Sequence, residues 1–383
     1  MDFEFTQEQK MLRQAIKDFL TRAWSKEKER EFDRKGEFPR EMYLKMAELG
    51  FLGYPFPEKY GGGGGGIMDF TIIQEELARN SFMMSSIWGL PLLFGGEQLL
   101  HCGTEEQRKK FIPEIGRGEL IFCFALTEPD IGSDAAAVKT TATKVGDDFV
   151  INGTKTFISG ADIADYVVTV ARTDPEVSKY KGLTLFLVDT KSVGFQARPI
   201  DKIGGKAIAA CDVSYDDVKV NAENILGGPD GLNQGWAQML TGLDTERICM
   251  AATGVGFAQQ ILNETVRYAK ERIQFGQPIG KYQAISHPLA DLATELEMTR
   301  TFLYYTAWLK SEGKPCSKES AMAKLQATEL AKKAALHGMQ TLGAYGYSME
   351  FDMQRYLRDA LLGVIGGGTS QIQRNIIAKS LGL

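Results

Sequence analysis

The chain has 383 residues, 44% of them hydrophobic and 24% charged, which at about 150 residues per domain is room for two or three domains with large cores. This composition excludes a disordered tail protein and a coiled-coil rod. With 44 Lys+Arg against 49 Asp+Glu the net charge is -5, and without a basic block nucleic acid is not expected as the main partner.

The first third reads as helices. Thr6 and Gln9 have capping-box spacing, and Met11, Leu12, Ala15, Ile16, Phe19 and Leu20 recur at helical period, so a helix starts near Thr6. Pro39 is placed to open the next helix, with Gly50 as its stop. Segments 71–79 and 105–115 look helical as well. From Phe122 the texture changes to short runs rich in β-branched and aromatic residues, separated by Gly, Asp and Asn turns: 140–143, 149–153, 166–171, 182–188 and 211–215. This predicts an antiparallel β domain. After Gly235 helical periodicity returns over 247–272, 284–309, 318–342 and 371–381. The fold class is therefore α+β, with a helical domain over 1–121, a middle antiparallel β domain over 122–233 and a helical domain over 234–383.

Strands do not alternate with crossover helices, as a doubly wound dinucleotide fold requires. Gly61 to Gly66 satisfies GxGxxG, but Ser81, Phe82 and Met83 stand where an acidic residue belongs about 20 positions on. The stretch reads as a loop between helices. Five cysteines, far apart, and three scattered histidines predict neither disulfides nor a metal site. The N-terminus lacks a cationic start followed by an apolar core, and no uncharged apolar run is long enough to span a bilayer. A cytoplasmic protein without membrane insertion is expected.

Four stretches carry chemistry: Thr127-Glu-Pro-Asp-Ile-Gly-Ser-Asp134, Arg272-Ile-Gln-Phe-Gly-Gln-Pro-Ile279, Gly343-Ala-Tyr-Gly-Tyr347 followed by Arg355 and Arg358-Asp359, and Gly368-Thr-Ser-Gln-Ile-Gln373. Each alone is a polar turn or a helix end where backbone can approach a ligand. In this order, across essentially the whole chain, they resemble the acyl-CoA dehydrogenase family. The resemblance implies a helical N-domain, a β middle domain, a C-terminal four-helix bundle, noncovalent FAD, an acyl-CoA substrate, electron-transfer flavoprotein as electron acceptor and a homotetramer.

Carried over residue by residue, Phe124, Leu126, Thr127 and Ser133 would line the flavin, and Phe157, Ile158 and Ser159 would cover its far side. Many relatives have Trp where Phe157 stands, so the indole N–H is lost here. From a neighbouring chain, Arg272, Gln274, Phe275, Gln340 and Gly343 would reach the pyrophosphate and adenosine part, while Thr369 and Gln371 match contacts of the final helix. Many members carry the catalytic base directly before the Gly-Thr-Ser motif. Here Gly367 and Gly368 precede Thr369, and no carboxylate is present.

Another branch, resembling isovaleryl-CoA dehydrogenase, places the base on the long helix. Leu243-Asp-Thr-Glu-Arg247 puts Glu246 at that position. An acidic pair at a helix N-terminus would explain the same residues, but an otherwise complete flavin site needs a proton acceptor. The resemblance makes the Gly367 N–H an oxyanion donor and assigns Leu243, Asp244, Arg247, Ser133 and Gly366 to the substrate. Gly366 replaces a bulky residue of straight-chain enzymes, implying a branched, cyclic or otherwise bulky acyl group. Trp88 is expected either as a pocket wall or as core packing. An enoyl-CoA reductase running in the reverse direction, and a silent CoA-ester-binding member, are the alternatives.

Overall fold

The computed structural model describes residues 4–383. Thr6 caps α1 (Gln7–Ala23) in a capping box with Gln9. α2 (Lys26–Lys35) and α3 (Arg40–Glu48) follow, the latter opened by Pro39 as expected. After the glycine loop come α4 (Ile67–Asn80), α5 (Phe82–Pro91), a π-helical turn over Leu92–Glu97, α6 (Gln98–Cys102) and α7 (Glu105–Gly116).

The middle part is a seven-stranded sheet: β1 (Phe122–Ala125), β2 (Thr141–Val145), β3 (Asp148–Ser159), β4 (Tyr166–Arg172), β5 (Leu183–Asp189), β6 (Phe195–Ile200) and β7 (Ala210–Asn221). The strand order is β1-β4-β2-β3-β7-β6, with β5 paired to β4. The expectation of a purely antiparallel sheet needs correction. β1 pairs with β4 in parallel, and so does β2 through Thr141 and Arg172. The chain between β1 and β4 winds through the β2–β3 hairpin before it returns, so β4 arrives in the direction of β1. β4 and β5 are apolar on both faces and almost fully buried, as strands enclosed between layers must be. One continuous apolar core joins the N-terminal helices to the sheet.

The last part is built on α8 (Gly235–Glu271), a small hairpin of β8 (Ile273–Gln274) and β9 (Gln277–Pro278), α9 (Gln283–Ser311), α10 (Ser317–Leu342), α11 (Met353–Gly363) and α12 (Ser370–Ser380). A second core fills this bundle. α8 and α10 run in parallel, Asp244 meeting Ser320 and Gly254 meeting Ala327. A Cβ at Gly254 would stand 2.9 Å from Ala327 backbone, so glycine sets how closely the two helices approach.

A buried ionic joint ties the three parts together. Arg30 of α2 forks onto Asp352 at 2.8 and 3.0 Å, and Arg355 reaches Asp352 at 3.0 Å and Glu29 at 3.6 Å. Arg358 pairs with Asp33 at 2.7 Å and donates to Ile203 O at 2.6 Å, while Asp359 accepts from Gly205 N at 2.7 Å. Among the described residues no helix is long and apolar enough to cross a membrane.

Candidate active site

One wall of the site is made by β1, the turn after it and β3. Lys155 on β3 is fully buried and donates to Leu126 O at 3.0 Å and to Glu128 at 2.9 Å. Glu128 also accepts from the backbone N–H groups of Lys139 and Thr140, both at 2.8 Å. Burial opposes the Glu128 carboxylate, but the ammonium and these donors outweigh it and hold its pKa below the usual range. Burial drives Lys155 down to about 8 despite its partner. A further bond, Thr156 N to Thr127 O at 2.9 Å, fastens the bulged edge of β3 to the turn.

The bulge matters. Between Lys155 and Ile158 the β3–β7 register slips by one residue, and Phe157 takes φ 56°, left-handed for a bulky residue. Its ring is thereby thrown outward, 64% exposed. Phe124, Leu126, Thr127 and Ser159 are half-buried and Ser133 is exposed. Ile158 is a correction: its side chain is turned into the sheet core at 2% exposure, so only its backbone can meet a ligand.

Replacing Lys155 by Met leaves Glu128 buried without its ammonium. We expect a loss of about 3–5 kcal/mol, measured as a lowered urea midpoint, with FAD released early in the transition.

The other wall comes from α8 and the loop between α11 and α12. α8 starts at Gly235, so Glu246 stands about three turns inside it. The helix-terminus explanation of this acidic residue therefore fails. The residue is only partly exposed, and the protein packed around it strips enough water to raise its pKa, against the positive influence of Arg247 and Lys324. A Cβ built on Gly367 would lie 3.2 Å from Glu246 Oε1 and only 2.2 Å from Met250 Sδ. Gly367 has φ 60°. Among the described residues, none accepts a hydrogen bond from its N–H. Gly366 is roomier, its nearest neighbour to a Cβ being Leu362 O at 3.6 Å.

Two buried side chains to which the sequence reading gives no role hold this loop. Gln373 donates to Gly367 O at 3.1 Å and Gly368 O at 2.9 Å, and its Oε1 has no partner. Lys324 donates to Gly363 O at 2.8 Å and Gly368 O at 2.9 Å. Lys324 sits inside an otherwise ordinary helical period, and Gln373 lies two positions after the singled-out Gln371, on the other side of the helix. Gln371 itself is exposed, and Thr369 caps α12. Leu243 is half-buried. Asp244 binds Arg247 and Ser320, each at 3.0 Å, so the buried Arg247 is anchored within the bundle.

Other residues are not brought here. Trp88 has no accessible surface, donates to Phe51 O at 2.9 Å and packs on Phe70. It is core packing and lines no open pocket, which corrects the pocket-wall expectation. On the π-helical turn, Phe94 lies 6.0 Å from Phe124, centroid to centroid. Arg272 lies 26 residues beyond Glu246 on the same helix, roughly 40 Å along the axis. Gln274, Phe275, Gln340 and Gly343 are exposed at that far end, Phe275 at 94% with φ 51°.

Sequence profiles of acyl-CoA dehydrogenases match the chain in three pieces: the N-terminal domain over residues 6–119, the middle domain over 123–218 and the C-terminal domain over 233–382. A probable acyl-CoA dehydrogenase of Bacillus subtilis is 40% identical over 100% of both chains. The caffeyl-CoA reductase-Etf complex subunit of Acetobacterium woodii is 39% identical over 98% of this chain and 99% of its own. The solved butyryl-CoA dehydrogenase of Megasphaera elsdenii superposes with a TM-score of 0.95 at 33% identity, covering 100% of both. The homologues are FAD-dependent. The residues present fit such a group: an outward aromatic face at Phe157, a half-buried edge at Leu126 and Thr127, and a glycine loop with a free N–H.

Proposed function

The chain belongs to the acyl-CoA dehydrogenase family, an oxidoreductase acting on CH–CH bonds, and we propose that its substrate is a branched, cyclic or aryl-bearing acyl-CoA with Glu246 as general base. The observation that supports this reading is the nearness of Glu246 Oε1 to Gly367, 3.2 Å from where a Cβ on that glycine would stand. FAD, when bound, supplies the acceptor for the hydride leaving the β-carbon.

The chain's own residues do the rest. Glu246 takes the proton from the α-carbon, and its partial burial raises its proton affinity toward working pH. The Gly367 N–H donates to the thioester oxygen, where negative charge develops as that proton leaves. Gly366, Met250 and Leu362 leave room beside the reacting carbons, which favours bulk there over a long straight chain. Ser133, exposed on the turn after β1, contacts the pantetheine arm in this reading.

The same residues serve the reverse reaction, since a base that accepts the α-proton returns it. The similarity to a caffeyl-CoA reductase subunit supports an aryl acyl group and keeps enoyl-CoA reduction as a second reading. The same relative's Etf complex supports electron-transfer flavoprotein as the partner. The 40 Å separation of Arg272 and its neighbours from Glu246 supports a homo-oligomer, a tetramer in our reading, in which they serve another subunit's cofactor. Exposed Phe275, Tyr347 and Ile273 supply the apolar surface such contacts need.

Anaerobic addition of isovaleryl-, cyclohexanecarbonyl-, 3-phenylpropionyl- and octanoyl-CoA to the holoenzyme tests the substrate class. Bleaching of the flavin band is expected with the first three ahead of octanoyl-CoA. Preference for octanoyl-CoA rejects the bulky-acyl reading, and no bleaching with any ester favours a silent member.

A further inference from the structure

Lys324 is fully buried, and among the described residues no carboxylate lies within salt-bridge distance of it. Its ammonium is held by two carbonyls, Gly363 O and Gly368 O. A buried cation without an adjacent counter-charge is costly, and a methionine of similar reach would fill the same space in the bundle. The two carbonyls flank the loop that carries Gly367, and across that loop lies Glu246.

We propose that Lys324 is the positioning residue of this site, anchoring the oxyanion loop through two carbonyls while its charge favours the ionised form of Glu246. The inference rests on Glu246 being the base.

The other charged groups nearby are already engaged. Arg247 is paired with Asp244, and Glu329 is paired with Lys332 at 2.6 Å and accepts from Ser370 at 2.7 Å. Glu97, on the π-helical turn, acts through its charge on Cys249, one turn after Glu246, and its Oε2 lies 3.3 Å from His101 Nε2. Lys324 is thus a cation without a carboxylate partner that is bonded directly to the loop. Burial lowers its own pKa to about 8, with Glu246 the largest influence in the opposite direction.

Two limbs follow for the rate of flavin reduction against pH. The rate rises as Glu246 loses its proton and falls near pH 8 as Lys324 loses its own. In Lys324→Met the basic limb should vanish. The acid limb should move up by about one pH unit, because Arg247 alone is then left to favour the carboxylate, so the rate on the acid side of the limb drops about tenfold. Lys324→Gln keeps amide donors for the carbonyls without charge. It should recover rate at high pH while retaining the displaced acid limb.

The experiment is anaerobic stopped-flow reduction of FAD-loaded wild type and both variants from pH 5.5 to 9.5, with FAD content and melting temperature measured alongside. A merely structural lysine would alter melting and FAD content but leave both limbs in place, and that result overturns the proposal. A wild type without a limb near pH 8 overturns it too, whether or not the variants fold. Glu246→Gln separates the failures. If it reduces flavin normally, the base reading fails; if it is inactive while the limbs ignore Lys324, this inference alone fails.

Discussion

Glu246→Gln is expected to slow flavin reduction by acyl-CoA by on the order of 10²–10⁴-fold while FAD stays bound. Glutamine keeps the shape of the side chain and removes its capacity to take a proton. The residue stands on the longest helix, well inside its first turns, where neither capping nor the helix dipole explains a carboxylate. Its pKa is raised by burial, a cost to stability that an inert side chain has no reason to carry. The measurement is single-turnover reduction of the variant, with the FAD-to-protein absorbance ratio as control. A variant with full rate would reject Glu246 as base.

The second large effect is expected at Gly367→Ala, where one added methyl should lower the same rate by about 10²–10³-fold, the usual effect of losing one oxyanion donor. Left-handed backbone costs a non-glycine residue about 1–2 kcal/mol, and here the methyl would meet Met250 Sδ at 2.2 Å. The loop must shift, and the N–H shifts with it. Met250→Ala in the same chain removes the collision but not the backbone strain, so partial recovery is expected. An alanine variant as fast as wild type would show that the N–H plays no part. The same collision bars a glutamate at 367, so the glycine there and the carboxylate on α8 are two halves of one solution.

Much of this arrangement is legible in the sequence because it is local. The capping box at Thr6, the strand texture after Phe122 and the turn motif from Thr127 each depend on neighbours a few residues away. α2 is different. Lys-Glu-Lys-Glu-Arg-Glu-Phe-Asp-Arg-Lys offers almost no apolar stripe, and its buried residues, Glu29 and Asp33, are acids satisfied by arginines of α11. No local pattern reveals a partner that far away. The stretch from α5 to α6 hides for the opposite reason: it is apolar on most sides, and its π-helical turn breaks the period.

At the site, Glu246 and Gly367 are legible as residue types, whereas their adjacency is a property of the packed bundle. Lys324 is invisible to motif reading, since a polar residue within a helical period looks like a solvated one, and Gln373 is read only as the end of a motif, with no sign that it is buried. The bulge at Phe157 and the burial of Trp88 are decided by tertiary packing too.

The joint between α2 and α11 also has a consequence for biosynthesis. Arg30 and Asp352 are 322 positions apart, so at usual elongation speeds roughly 15–60 s separate their emergence from the ribosome. Through that interval Glu29 has only Lys26 and Ser81 as partners, and the nascent N-terminal helices lack the arginines of α11. A stretch translated late is thus the clasp that closes an early one, and a product cut short before α11 would leave Glu29 and Asp33 without their arginines.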